Sequence, residues 1–229
     1  MKHLFILILT VISLNVNAMS NIDKGKQAFK TQDYESAAKY FHLSAEDGDR
    51  DGQQFLGYLY SVGKGVEKDY ATAASWYNKS AVQGDAASQY NLGNMYERGR
   101  GVSKNYQQAL LWYDKSAKQG NPRAQFHLAQ LHYQGLGTSK DFLKALFWFN
   151  EAAKDNNAGV QYQIGYMHEQ GEGTDKDIGK AVSWYSKSAK QGEKKAQLKL
   201  AELYGKGIGV KQNQRLSEYW LKLAQESRS

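Results

Sequence analysis

Small and apolar residues recur along this chain on two periods at once. Between Ser88 and Arg98, Leu92, Gly93, Met95 and Tyr96 fall at helical spacing, which predicts a helix A. From Ala109 onward, Trp112, Tyr113, Ser116 and Ala117 continue a second apolar stripe with small members where backbones approach, which predicts a helix B. Gly99-Arg100-Gly101-Val102 separates the two, because glycine tolerates the left-handed backbone that ends a helix. Asn105 stands where an N-cap is wanted, and Gly120 closes the second helix. The unit from Ala86 to Asn121 is thus a helix–turn–helix hairpin.

The second period is 36 residues long, and Trp76, Trp112, Trp148, Trp184 and Trp220 keep it without a slip. Gly63, Gly99, Gly135, Gly171 and Gly207 keep it too, as do Gly65, Gly101, Gly137, Gly173 and Gly209. Asp69, Asp141, Asp177 and Asn213 match the Asn105 cap; Gly84, Asn156 and Gly192 match Gly120. Self-similarity at one fixed period predicts a solenoid, in which each hairpin buries its apolar face against its neighbours. Function is then expected on a surface rather than in a pocket. The tryptophan ladder reads as core, and Gln53, Gln89, Gln125, Gln161 and Gln197, present in every unit, read as structural links between hairpins.

The composite spelling Ala-Gln-x-x-Leu-Gly-x-x-Tyr-x-x-Gly-x-Gly-Val-x-x-Asp-x-x-x-Ala-x-x-Trp-Tyr-x-Lys-Ser-Ala-x-x-Gly is similar to the Sel-like repeat, a relative of the tetratricopeptide repeat. It recurs five times from about Gly52 to Gln225. The resemblance implies an all-α fold, an α/α solenoid coiled as a right-handed superhelix with helix A on its concave face. It also implies an adaptor that binds protein or peptide without catalysing a reaction. Some cysteine-rich members of that family bind or weakly hydrolyse penicillins, so a β-lactamase-like hydrolase acting on cell-wall-type substrate is the alternative. Both ends depart from the pattern. Residues 19–51 lack the Gly-x-Gly turn but place Asp33, Ala37, Tyr40, Phe41, Ala45 and Gly48 in register, as a shorter tetratricopeptide-like unit would. In the last of the five repeats, which span 52–225, Gln214, Ser217 and Gln225 replace apolar or small residues, as a capping unit with a wet outer face requires; residues 226–229 form a tail.

Residues 1–18 differ from everything after them. Lys2 and His3 precede an apolar run from Leu4 to Val16, and Val16-Asn17-Ala18 is a small-x-Ala cleavage site, so this segment reads as a secretory signal peptide cut after Ala18. Its 13 apolar-run residues fall short of the ~20 that span a bilayer. The expected destination is the periplasm of a bacterium or the medium, with no integral membrane span in the mature chain. The whole sequence carries +7; losing Lys2 leaves 29 basic against 23 acidic residues, or +6, dispersed through every repeat. That dispersal argues against nucleic acid as a partner. There is no cysteine for a disulfide, a thiolate ligand or a lipid anchor. No cofactor and no catalytic residue is expected, and a monomer is.

Local chemistry yields bland readings. Asp47-Gly48-Asp49-Arg50-Asp51-Gly52 opens like a calcium loop, but its twelfth place is Tyr58 rather than a bidentate carboxylate, so a turn and a capped helix are expected. His132 and His168 take the place of Tyr60, Tyr96 and Tyr204 and should pack between helices; no His-x-x-x-His pairs with them, and no metal site is expected. Ser36-Lys39 and Ser61-Lys64 spell Ser-x-x-Lys, one mid-helix and one running into a Gly-x-Gly turn, without the companion motifs of penicillin-recognising enzymes.

A partner site is expected where helix A varies while its neighbours do not. One series is Phe55, Asn91, His127, Gln163, Lys199; the other is Tyr58, Asn94, Gln130, Tyr166, Glu202. Tyr58, Asn91, Asn94, His127, Gln130, Gln163 and Tyr166 form the candidate partner-binding set, since amides and rings on a fixed scaffold suit an extended peptide or protein surface.

Overall fold

A computed structural model describes residues 19–226; the expected signal peptide lies outside the described residues, as does the tail beyond Glu226. The helices form six hairpins: α1 (Asn21–Lys30) with α2 (Tyr34–Glu46), α3 (Arg50–Val62) with α4 (Tyr70–Val82), α5 (Ala86–Arg98) with α6 (Tyr106–Lys118), α7 (Pro122–Gln134) with α8 (Phe142–Ala152), α9 (Ala158–Gln170) with α10 (Ile178–Lys190), and α11 (Lys194–Lys206) with α12 (Gln214–Glu226). Among the described residues there is no strand, and each helix packs mainly against the helices before and after it in sequence. This is the expected all-α solenoid. The odd helices are helix A and the even ones helix B.

Each boundary follows from its sequence. Gly99 takes φ 67° and its N–H closes on the Met95 carbonyl. The Asn105 side chain then accepts from the Gln108 N–H to start α6, as Asp69, Asp141, Asp177 and Asn213 do at their own helices. The second turn glycine does more than turn. At Gly101, φ is 70° and an added Cβ would stand 2.1 Å from the Tyr70 carbonyl oxygen, so the loop of one unit lies directly on the start of helix B in the unit before. In the first hairpin, which lacks these glycines, Gln32 takes the left-handed turn at φ 63°.

Helix A presses on its own helix B through small residues: a Cβ at Gly93 would come within 2.8 Å of the Tyr113 ring, and Gly57, Gly165 and Gly25 stand in the same relation to Tyr77, Tyr185 and Phe41. Such contact leaves no void and favours dispersion. The recurring glutamine joins hairpins, as expected. Gln53, Gln89, Gln125 and Gln197 each donate to a helix-B carbonyl of the preceding unit, 3.0–3.2 Å away. Three of the five accept in turn from the glutamine that ends the next helix B.

One expectation about the core is graded by the structure and one needs correction. Trp76, Trp112 and Trp220 are buried, while Trp148 and Trp184 are half-buried and pack against the core clusters. Lysine three residues on lies over the indole at Trp76, Trp112 and Trp184, with Nζ 3.7, 4.4 and 4.2 Å from the ring centre. At Trp148 that place is Glu151. In the last unit Gln214 and Gln225 are exposed, but Ser217 is buried and its hydroxyl donates to the Ala201 carbonyl at 2.7 Å. Ser217 therefore joins the two helices of the cap and does not face water.

Candidate functional site

The helix-A series divide between open hollows and packed positions. Asn91 and Asn94, on α5, line a hollow of about 380 Å³ together with Ser61, Lys68, Tyr77 and Arg100. Gln130 and Gln163, on α7 and α9, line another of about 260 Å³ with Tyr133, Tyr162 and Lys195. His127 borders a smaller hollow of about 120 Å³. Tyr58 and Tyr166 are half-buried and pack against core clusters, so each offers a partner only part of its ring.

His127 is also tied into the scaffold. The Tyr113 hydroxyl donates to Glu97 Oε2 at 2.6 Å, the His127 Nδ1 atom lies 3.1 Å from the same oxygen, and the His127 ring stacks on Tyr113 with centres 5.1 Å apart. Two units later the arrangement returns: Tyr185 donates to Glu169 Oε2 at 2.5 Å and Lys199 Nζ to Glu169 Oε1 at 2.9 Å. In both, a carboxylate on helix A joins the tyrosine of its own helix B to a nitrogen base on the next helix A. Burial pushes the Glu97 carboxyl up, but His127 and Tyr113 outweigh it and hold the group below its ordinary range. Burial, then the adjoining carboxylate, pushes the Tyr113 and Tyr185 phenols upward. In the unit between, the carboxylate position is Tyr133, which donates to Glu172 at 2.8 Å instead. In the unit before, it is Ser61, beside the Tyr77 hydroxyl, whose phenol burial pushes up to about 12.

The other sequence candidates resolve as scaffold. Asp49 caps α3, accepting from Asp51 and Gly52 N–H and from the Ser44 hydroxyl, while Asp51 pairs with Lys26 at 3.1 Å. These acids serve a turn and a helix start. No group of three or more potential metal ligands occurs among the described residues. His168 is buried and His132 half-buried, and the Nδ1 atom of each is buried without a hydrogen-bond partner among the described residues. Ser36 lies in the first turn of α2 rather than mid-helix, its N–H held by Asp33. The Ser61 hydroxyl donates to the Tyr58 carbonyl and Lys64 to the Tyr34 hydroxyl, so this pair is not set as nucleophile and base.

A feature of the helix-B side has no counterpart among the sequence expectations. Leu110, Leu111, Leu128, Phe147 and Trp148 line a hollow of about 600 Å³ between α6, α7 and α8, with Leu111 45% and Phe147 57% exposed. The signal was present: Leu111 and Phe147 stand where the flanking units have Ser75 and Ser183. Among the described residues no helix is long and apolar enough to cross a membrane.

Comparison with known proteins agrees with this geometry. A family model described as the Sel1 repeat matches six consecutive segments, 23–49, 50–85, 86–121, 122–157, 158–193 and 194–226. The first of them is the unit that lacks the Gly-x-Gly turn. A Sel1 repeat protein from Oxalobacter formigenes is similar at 36% identity and TM-score 0.81, over 91% of this chain and 83% of that one. A protective antigen present in uropathogenic Escherichia coli strains, displaying an SLR fold, is similar at 33% identity and TM-score 0.85; the match covers 90% of this chain but only 45% of that one. No curated protein matches the chain.

Proposed function

Because the chain belongs to the Sel1 repeat family, whose repeats generally mediate protein interactions, we propose that it is a scaffold that receives a protein or peptide along its helix-A face. The observation that carries this reading is the pair of amide-edged hollows on that face. One is edged by Asn91 and Asn94 and the other by Gln130 and Gln163, residues that differ from unit to unit on an otherwise repeating frame. Carboxamides can donate and accept together, which suits the exposed backbone of an extended segment. Fixed helices hold them in place before binding, which lowers the ordering cost.

The same proposal has this scaffold exported to the periplasm or the medium, a reading supported by the leader-like sequence of residues 1–18. N-terminal sequencing of protein from those fractions is expected to begin at Met19; a chain starting at Met1 in the cytoplasm would remove the export reading.

The test of the binding site is a pull-down from periplasmic and medium fractions, with the unaltered protein beside a variant carrying Asn94, Gln130 and Tyr166 as Ala. A protein held by the first and released by the second is expected. Equal capture by both would place the contact elsewhere, with the apolar hollow at Leu111 and Phe147 the next surface to alter.

A further inference from the structure

The repeat supplies its own controls for the hollow at Asn91. Position by position, Ser61, Tyr77 and Asn91 correspond to Glu97, Tyr113 and His127 one unit later, and to Glu169, Tyr185 and Lys199 three units later. In both later sets the glutamate carboxylate occupies the space between the tyrosine hydroxyl and the nitrogen base. In the first set the helix-A residue is a serine, too short to deliver a carboxylate there, and the space is an open hollow of about 380 Å³.

The walls of that hollow are one-sided in charge. Its lining has Lys68 and Arg100 as cations, Ser61, Tyr70 and Tyr77 as hydroxyls, Asn91 and Asn94 as amides, and no carboxylate. Asp69, next to Tyr70 in sequence, is engaged at the start of α4: one oxygen accepts from the Ala71 and Thr72 N–H groups and the other from the Thr72 hydroxyl. Lys68 and Arg100 both lie by the Tyr70 ring, at 4.9 and 5.7 Å from its centre, so two cations stand at one edge of the hollow. The other units do not repeat this set. Arg100 corresponds to Lys64, Leu136, Glu172 and Ile208, and Ser61 to Gly25, Glu97, Tyr133, Glu169 and Gly205; where the cation recurs, at Lys64, Gly25, Phe41 and Phe55 stand in place of Ser61, Tyr77 and Asn91.

We infer that this hollow binds a carboxylate group of a peptide or protein ligand, in the place that Glu97 and Glu169 fill from within the protein. The inference deepens the helix-A reading and rests on it. The carboxylate would accept from Tyr77 and the Asn91 amide while Lys68 and Arg100 offset its charge; ionised acceptors make the stronger class of hydrogen bond. An acidic residue and the C-terminus of a peptide present the same group.

Ser61→Glu tests this directly, because it supplies the missing carboxylate from inside. The array already carries glutamate at that position twice, so the fold should accept it; unchanged far-UV helicity checks that. Arg100→Leu, the residue found one unit later, is the second variant. Three fluorescein-labelled peptides with one neutral body serve as probes. One has a free C-terminus and no acidic residue, one is amidated with a single Glu, and one is amidated with Gln in its place.

Polarisation titrations of the full-length protein are expected to favour the first or second probe over the third by about tenfold or more, and Ser61→Glu is expected to abolish that preference while Arg100→Leu weakens it. Preference for the free terminus identifies a C-terminus as the source, and preference for the Glu probe an acidic side chain. Equal binding of all three probes, binding of none, or a preference unchanged in Ser61→Glu overturns the carboxylate site. A partner that Ser61→Glu still holds at full affinity, but that is lost on changing Gln130 and Tyr166, would leave the helix-A reading standing without it.

Discussion

Gln119 Nε2 donates to Gln89 Oε1 across 2.8 Å, joining the end of one helix B to the start of the helix A 30 residues before it. The same bond links Gln83 to Gln53 and Gln191 to Gln161. Since Gln89 also donates to the Ala81 carbonyl, one carboxamide ties three consecutive helices with donor and acceptor both used. At the third position of this ladder, between Gln119 and Gln191, stands Asp155, which cannot donate to Gln125. The same unit ends α8 early in a 3-10 turn at Ala153–Asp155. Asp155→Gln is expected to raise stability by roughly 0.5–1.5 kcal/mol, the ordinary net value of a hydrogen bond. Urea unfolding gives the number; a loss of stability would show that the 3-10 turn forbids the bridge.

Without that bridge, the junction between α8 and α9 should be the least protected within the array. Hydrogen exchange followed peptide by peptide is expected to show faster exchange at 153–158 than at the corresponding segments 81–86 and 117–122. Uniform protection along the three segments would contradict it.

The Glu97–Tyr113 bond gives a comparison internal to the protein. Tyr113→Phe removes the donor from a half-buried carboxylate, whereas Tyr77→Phe removes a hydroxyl that stands only beside the neutral Ser61 hydroxyl. Leaving a buried charged acceptor short of a partner costs about 1–3 kcal/mol, more than losing a neutral bond. Phenylalanine itself fits the site, as Phe149 shows in the unit whose helix A carries no glutamate there. Chemical denaturation should rank Tyr113→Phe as the more damaging change; equal losses would mean that His127 alone satisfies Glu97.

How far the sequence discloses this protein depends on the kind of fact. The 36-residue register, the turn glycines and the caps are visible because each is a local requirement: Gly101 must be glycine where it lies on Tyr70, and Asn105 must accept at a helix start. The candidate site was only half legible. Variation marked Asn91, Asn94, Gln130 and Gln163 as free of packing, and they do line hollows, but the same rule selected His127, whose variation is matched by Glu97 on the preceding helix A. A residue can vary because it is solvated or because its contact varies with it, and one row of the repeat read alone does not separate the two. Ser217 shows the same limit: a polar residue at a terminal unit meets either water or a carbonyl, and here it meets Ala201.

His132 and His168 make stability depend on pH. Burial, ahead of the nearby Lys144 at His132 and Lys180 at His168, lowers both below the ordinary value, while Asp141 and Asp114 at the first and Asp177 at the second oppose it. The unfolded state, with ordinary values near 6.5, therefore binds more protons than the folded one as the medium is acidified. Stability from these groups is full above about pH 6.5 and falls as pH drops from there through the folded values. Tyrosine stands at the equivalent places 60, 96 and 204, so His132→Tyr with His168→Tyr should keep the packing and flatten the decline. Urea midpoints between neutral and mildly acidic pH would decide it, parallel slopes for the two proteins speaking against the assignment.

Position in the array alone suggests that losing the central Trp148 should cost more than losing the terminal Trp220, but burial argues for another order. Trp112 is 6% exposed, internal, and covered by Lys115, whereas Trp148 is half-buried beside the open hollow at Phe147 with Glu151 in the lysine's place. Truncating a buried tryptophan costs about 3–5 kcal/mol because the cavity adds to the lost transfer energy. At Trp148 solvent already reaches part of the ring, so less apolar surface is lost and the hollow can admit water. Trp112→Ala is therefore expected to cost clearly more than Trp148→Ala in equilibrium denaturation of the full-length protein. Lys115→Ala should lower stability by about 0.5–1 kcal/mol, the value of a partly exposed cation over an aromatic face. If Trp148→Ala proved the costlier change, position in the array would outweigh burial, and the energetics would be governed by how many neighbours a unit couples to.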